Sequence, residues 1–243
     1  MKYKKLSIII PVYNEEKFIE EVIDKVLKAN SFGLRKEIII VDDGSTDQTK
    51  TKIEKKLKNI KKKQLEIKTI FKKKNQGKGA ALKDGILLST GDIVLIQDAD
   101  LEYDPYDYPI LLEPFFKYKA NVVYGSRFIT NRPHRVLYFW HSVGNFLLTL
   151  FSNIFTNLNL TDMETGYKVF QGDLIRKIAK KLKSKRFGFE PEVTARIAKI
   201  KNIKIYEVGI SYFGRTYKEG KKINWIDGIR TFFEIIKFNL FEK

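Results

Sequence analysis

Ile93-Val94-Leu95-Ile96-Gln97-Asp98-Ala99-Asp100 is an apolar run closing on two carboxylates spaced i, i+2. An unbroken apolar run of this length fits a strand buried on both faces. Two earlier segments repeat the pattern. Leu6-Ser7-Ile8-Ile9-Ile10-Pro11-Val12 leads into a loop at Tyr13-Asn14-Glu15, and Ile38-Ile39-Ile40-Val41 ends at Asp42-Asp43-Gly44-Ser45. Leu65 to Phe71 reads as a further strand. Helical spacing fills the intervals: Glu15 to Lys28 carries Phe18, Ile19, Val22, Ile23, Val26 and Leu27, Thr46 to Leu57 follows with Ser45 or Thr46 as its cap, and Gly79 to Ser89 follows again. Strands alternating with helices predict an α/β fold, a mostly parallel sheet with helices on both faces. Ligands of such sheets bind beyond the carboxyl ends of the strands, which gathers Asn14, Asp42, Asp43 and Asp98 into one cleft.

Paired carboxylates at that edge suit a hard divalent cation, Mg²⁺ or Mn²⁺, holding a pyrophosphate. The cation would act as a Lewis acid toward a departing nucleoside diphosphate. An isolated D-x-D more often only polarises a strand end, so the remaining motifs decide.

The 243 residues are enough for one domain with a real core, and 43% hydrophobic content argues against disorder. Absence of cysteine removes disulfides, thiolate metal sites and thiol nucleophiles, and only two histidines, His134 and His141, leave little for a histidine metal site. A formal charge of +17 implies an anionic partner. Much of the lysine lies between Lys50 and Lys74, where a solvated helix face explains it, and no nucleic-acid motif accompanies it. The start, Met1-Lys2-Tyr3-Lys4-Lys5, runs straight into a strand pattern with no secretory leader, so a cytoplasmic location is the expectation.

The second half is less regular. Asn121 to Gly125 reads as a strand leading to Ser126-Arg127, and Ile203 to Val208 as another. Val136 to Phe155 is apolar but interrupted by His141, Ser142, Asn145, Ser152 and Asn153, a poor spanning helix and a good interfacial one. Trp225 to Phe241 has an apolar helix face that suits either core packing or a membrane surface.

Ile9-Ile10-Pro11-Val12-Tyr13-Asn14-Glu15, Val41-Asp42-Asp43-Gly44-Ser45-Thr46-Asp47, and Gly91-Asp92 leading to Asp98-Ala99-Asp100 together resemble the GT-A domain of family 2 glycosyltransferases. Asn75-Gln76-Gly77-Lys78-Gly79-Ala80-Ala81, Asp98 to Pro105, and Tyr124-Gly125-Ser126-Arg127-Phe128 resemble the polyprenyl-phosphate subgroup, dolichol-phosphate mannose synthase and its glucosyl relatives. The resemblance covers essentially the whole chain, residues 1–243 as one GT-A domain, with about 130–160 and 223–243 as acceptor-side, membrane-proximal helices.

Each motif also has a physical reading. Pro11 fixes the backbone so that Tyr13, Asn14 and Glu15 can line a base pocket, with a helix N-cap the other role for Asn14. The resemblance places Asp42 or Asp43 on base or ribose, Asp98 with Ala99 on ribose and diphosphate, and Asp100 on the metal. Glu102, where mannose synthases often carry Gln, is a further ligand, giving Asp98, Asp100 and Glu102 as the metal set. Gly77-Lys78-Gly79 offers flexible backbone and a cation to a phosphate at a helix mouth. Arg127, with Arg132 and Arg135, suits the acceptor phosphate. Asp162, in Thr161-Asp162-Met163-Glu164-Thr165-Gly166-Tyr167, resembles the acceptor-side D-x-x-[ST]-G segment and would sit near the transferred sugar. Glu190 is either a first-turn acid favoured by the helix dipole or a ligand of sugar hydroxyls. Gly214 to Lys222 resembles the family's mobile basic loop, with Arg215 and Lys221 or Lys222 over the diphosphate.

These resemblances imply an inverting hexosyl transfer from GDP-mannose or UDP-glucose to a polyprenyl phosphate, leaning to GDP-mannose. A phosphate acceptor is already anionic and needs no general base. The related alternative is transfer to a sugar hydroxyl, with Asp162, Glu164 or Glu190 as base. The alternative of another class is a non-catalytic basic protein that binds membranes or nucleic acid, against which the intact acidic cleft argues. Peripheral attachment to the cytoplasmic face of an anionic membrane is expected, with a membrane-protein partner standing in for the spanning helices some relatives append.

Overall fold

The computed structural model describes residues 3–60, 65–129, 134–136, 138–216 and 225–242. In chain order its elements are β1 (Lys5–Val12), α1 (Ile19–Lys28), β2 (Arg35–Asp42), α2 (Thr49–Lys58), β3 (Glu66–Phe71), α3 (Lys78–Leu88), β4 (Ile93–Ile96), α4 (Tyr108–Lys117), β5 (Val122–Ser126), α5 (Phe139–Thr156), β6 (Lys168–Gln171), α6 (Gly172–Ala179), α7 (Phe189–Ala198), β7 (Ile205–Gly209) and α8 (Trp225–Ile236). A π-helical turn, Lys237–Phe241, extends α8.

Among the described residues seven strands form one sheet in the order β3-β2-β1-β4-β6-β5-β7. β1 pairs in parallel with β2 and β4, and β2 with β3, which brings Val12 level with Asp42. β6 runs antiparallel to both β4 and β5. The strands separate two apolar layers because side chains alternate along each strand. Ile8, Ile10, Ile38 and Ile40 pack on one face with Val22 and Val26 of α1 and Leu111 and Phe115 of α4. Ile9, Ile39 and Val41 pack on the other with Leu82 and Ile86 of α3, Phe170, and Val193 of α7. Each fully buried Ile or Leu contributes about 1.5–3 kcal/mol relative to an exposed one, so this double layer carries the fold.

Several boundaries differ from the sequence reading. α1 begins at Ile19, and Asn14, at φ 52°, lies in the preceding loop and is not the N-cap. α2 begins at Thr49, whose N–H donates to Asp47 Oδ1 at 2.9 Å, because Ser45 and Thr46 are already committed to Asp42 and Asn14. β6, α4 and α6 are additional elements. β6 is only four residues long and carries a buried lysine, Lys168, whose Nζ donates to the Met163 carbonyl at 2.8 Å and to that of Thr165.

Candidate active site

The carboxyl ends of β1, β2 and β4 open onto a cavity of about 980 Å³ lined by Pro11, Tyr13, Glu15, Asp43, Lys78, Asp98, Ala99, Asp100, Glu102, Arg127, Glu164, Glu190 and Arg215. Most of the predicted residues therefore meet in one place. Two do not line it. Asp42 Oδ1 accepts from both the N–H and the Oγ of Ser45, at 2.9 and 2.6 Å, forming a turn. Asn14 staples the first loop to the second: its Oδ1 accepts from the Thr46 N–H at 2.8 Å, and its own N–H donates to Ser45 Oγ at 2.9 Å. Asp43 is thus the aspartate that faces the cavity.

Asp43 also holds the loop that leads into the Gly77-Lys78-Gly79 motif. Asp43 Oδ2 accepts from the N–H groups of Gln76 and Gly77, at 3.0 and 2.6 Å. The N–H groups of Gly79 and Ala80 donate to the carbonyls of Arg186 and Lys185, both at 3.1 Å. Gly77, at φ 102°, is where a side chain would strike the Lys185 carbonyl. With the Gly79 and Ala80 N–H groups bonded to protein carbonyls, the segment lines the cleft through Gly77, Lys78 and Ala81, and Lys78 brings its charge. Its Nζ lies 3.0 Å from Asp98 and 3.1 Å from Glu190. Burial opposes the charge, but Asp98 and Glu190 together hold the Lys78 pKa well above its usual value. Glu190 is both a first-turn acid of α7 and a member of this cluster.

Arg215 forms the second charged cluster. Its guanidinium reaches Glu15 at 3.2 Å, Asp100 at 3.2 Å and Glu102 at 3.3 Å. Glu102 further accepts from the Tyr212 hydroxyl at 2.7 Å and the Arg215 N–H at 3.0 Å. Burial, then the charges of Asp98 and Glu102, push Asp100 up to about 7 despite Arg215. A carboxylate under that pressure is a natural seat for a further cation. The metal set Asp98, Asp100 and Glu102 is nevertheless not assembled: among the described residues no three metal-binding side chains converge, because Asp98 is drawn to Lys78 and Glu102 to Tyr212 and Arg215. Mg²⁺ commonly needs only one or two carboxylates beside substrate phosphates and water, which Asp100 with Glu102 fits.

At the acceptor side, Arg127 grips Asp162 in a fork, Nε to Oδ2 and Nη2 to Oδ1 both at 2.6 Å, and Asp162 is fully buried. Asp162 is therefore the support of Arg127 and not a free base. Arg135 turns aside, donating through Nη1 to the Gly214 carbonyl at 3.0 Å. Arg132, Lys221 and Lys222 lie outside the described residues. Glu164 keeps a buried Oε1 without a hydrogen-bond partner, and burial followed by Glu190 pushes its pKa up to about 7.

Sequence reasoning missed the aromatic support beneath Asp98. Gln97 is buried, its Oε1 accepts from Tyr108 and Tyr167 hydroxyls at 2.9 and 2.7 Å, and its Nε2 donates to the Asp98 carbonyl at 3.1 Å. Tyr103 accepts from the Gly166 N–H at 2.8 Å, and any side chain at Gly166 would collide with Asp98. The sequence signal was the polar Gln97 between an apolar strand and Asp98.

An acidic, cation-bridged cleft at the carboxyl ends of the parallel strands sits where α/β sheets bind their ligands. The chain belongs to glycosyl transferase family 2, whose model matches residues 7–179. It is 30% identical to an uncharacterized protein of Methanocaldococcus jannaschii over 97% of this chain and 93% of that one. It is 27% identical to the UDP-N-acetylglucosamine–dolichyl-phosphate N-acetylglucosaminyltransferase of Methanococcus voltae, over 99% and 98%. With the dolichyl-phosphate beta-glucosyltransferase of Dictyostelium discoideum it shares 29% over 90% and 68%. Its GT-A fold matches glucosyl-3-phosphoglycerate synthase from Mycobacterium tuberculosis, solved with Mn²⁺, UDP and phosphoglyceric acid, at a TM-score of 0.72 and 18% identity, over 98% and 79%.

Proposed function

We propose that the chain transfers a hexosyl group from a nucleoside diphosphate sugar to the phosphate of a polyprenyl phosphate, inverting the anomeric carbon. The observation that carries this reading is the mixed lining of the cavity. Beside its charged residues it is lined by Trp140, Leu147 and Leu148 of α5 and by Ile229 and Phe232 of α8. A polar reaction centre beside an apolar lining suits an acceptor with a phosphate head and a hydrocarbon tail.

In the transfer an acceptor phosphate oxygen bonds to C1 as the bond from C1 to the diphosphate oxygen breaks, and the nucleoside diphosphate leaves with the electron pair. Arg127, held rigid by Asp162, orients the incoming phosphate, and Lys78 and Arg215 meet the charge of the leaving diphosphate. Tyr13, Glu15 and Asp43 would line the nucleoside end. Mg²⁺ or Mn²⁺ held by Asp100 with Glu102 would supply Lewis-acid stabilisation of the diphosphate. The named relatives support a UDP-linked donor, and GDP-mannose has no counterpart among them.

Among the described residues no helix is long and apolar enough to cross a membrane. Phe139, Trp140, Phe146, Ile229 and Phe233 are exposed on α5 and α8, which supports peripheral attachment by these acceptor-side helices. The reading that the acceptor is a sugar hydroxyl is favoured by one observation, the unbonded Oε1 of Glu164, which could take a proton. Incubation with a panel of nucleotide sugars, Mn²⁺ and a polyprenyl phosphate, with products detected by mass, tests the proposal. Failure to form any glycosylated lipid with any donor would defeat it.

A further inference from the structure

The segment joining α5 to β6 is held residue by residue. The consecutive N–H groups of Leu160, Thr161, Asp162 and Met163 all donate to side chains and none to backbone. Leu160 donates to Asn153 Oδ1 at 3.2 Å and Met163 to Thr149 Oγ1 at 3.1 Å. Between them, Thr161 and Asp162 both donate to Glu207 Oε1, at 3.0 and 3.1 Å. The carbonyls are tied as well: that of Leu160 accepts from Asn153 Nδ2 and that of Met163 from Lys168 Nζ, both at 2.8 Å. Thr149 and Asn153 stand one turn apart on α5, which gives the polar interruption of that helix at Asn153 a purpose. An ordinary loop leaves such groups to water or to backbone partners.

Asp162 lies at the centre of this segment. Its carboxylate takes the Arg127 fork and also the Arg127 N–H, at 3.1 Å. Ser126 Oγ and Thr161 Oγ1, 2.6 Å apart, join the same two segments beside it. The Arg127 side chain is left 9% exposed, with its guanidinium 5.2 Å from the Tyr212 ring centre, so the edge it presents to the cleft follows Asp162. Glu207 stands behind both and does not line the cleft. β7 does not need Glu207 for its attachment, since Ile205–Gly209 pairs with Val122–Ser126 along its whole length. The carboxylate bonds instead to the two N–H groups that set the place of Asp162, and misplacing a substrate-orienting group by about 1 Å costs on the order of 10²-fold in rate.

We infer that Glu207 is a positioning residue for the acceptor phosphate: it fixes the N–H groups of Thr161 and Asp162 and, through the Asp162 carboxylate, the guanidinium edge that Arg127 offers. Thr149 and Asn153 hold the flanks of the same turn from α5. The inference rests on the proposed transfer to a phosphate, but the geometric half of its test needs no substrate.

The test reads Arg127 directly and then the reaction. In nitrogen NMR of the full chain, the Arg127 Nε–H resonance is identified by its loss in R127K, and its exchange with water is timed. Bonded to Asp162, it should exchange slowly in the wild type and roughly tenfold or more faster in E207A. E37Q is the control, because it removes another buried carboxylate that accepts a backbone N–H, that of Thr90, away from the cleft. It should alter the exchange by no more than about twofold. T149V removes the acceptor of the Met163 N–H at nearly constant volume; it should speed exchange about threefold and carries the test if E207A does not fold. With a polyprenyl phosphate, E207A should raise the acceptor KM roughly tenfold and leave the donor KM within about twofold. Equal acceleration in E37Q, unchanged exchange in E207A and T149V, or faster exchange with an unaltered acceptor KM would overturn the inference. A wild type that glycosylates no polyprenyl phosphate with any donor would defeat the proposed transfer instead, and the exchange rates would still decide whether Glu207 positions Arg127.

Discussion

Arg215 Nη2 lies 3.2 Å from Asp100 Oδ2, so the arginine expected over the diphosphate sits on the carboxylate expected to hold the metal. The guanidinium is the shared counter-ion of Glu15, Asp100 and Glu102. If Asp100 and Glu102 hold the metal as proposed, metal and arginine would compete for the same carboxylates. R215A should bind Mn²⁺ alone about fivefold or more tightly than the wild type, by electron paramagnetic resonance titration. The same variant should lose on the order of 10²-fold in transfer, as for removal of one preorganised donor. Unchanged Mn²⁺ affinity would contradict the competition.

Lys78 bridges Asp98 and Glu190 within the buried floor of the cleft. K78M leaves buried Glu190 and half-buried Asp98 without their cation, and stability should fall by about 3 kcal/mol in urea unfolding. A loss within experimental error would show that the cluster is already hydrated.

Glu37 tests the sheet far from the cleft. Burial alone would raise its pKa, but hydrogen bonds from Lys68, Ser7 and Thr90 override burial and hold it well below the usual carboxylate range. A carboxyl depressed by folding stabilises above its unfolded pKa, and that contribution fades as pH falls below about 4. E37Q should therefore be less stable than the wild type by about 2 kcal/mol near neutral pH. The difference should shrink steadily through acid unfolding experiments toward pH 3. A gap independent of pH would assign the loss to packing alone.

Glu164 separates the two acceptor chemistries. If the acceptor is a phosphate, E164Q should retain transfer within about tenfold. If Glu164 were the base for a hydroxyl, the loss would be on the order of 10²–10⁴. Steady-state rates with the lipid and with a sugar acceptor decide between them.

The extent to which all this was legible from residues varies along the chain. Ile8 to Ile10, Ile38 to Val41 and Ile93 to Ile96 declare themselves because strands buried on both faces need no polar residue. β6 does not, since Lys168 interrupts a strand of four residues and is satisfied only by carbonyls from the preceding loop. The cleft residues were legible as a set, because their motifs fall at strand ends. Their pairings were not: Arg127 with Asp162 and Arg215 with Asp100 join positions far apart in the chain. The glycines carry a pairing of the same kind: Gly77 and Gly79 mark a close approach of backbone by the Lys185–Arg186 loop, which no local pattern announces.

The most direct test of the central claim follows the phosphorus of the acceptor. The purified chain, Mn²⁺, a UDP-hexose and a short-chain polyprenyl phosphate are combined and observed by ³¹P NMR. The account predicts conversion of the acceptor phosphomonoester to a phosphodiester in step with equimolar release of UDP. Release of UDP with the phosphomonoester unchanged would contradict it.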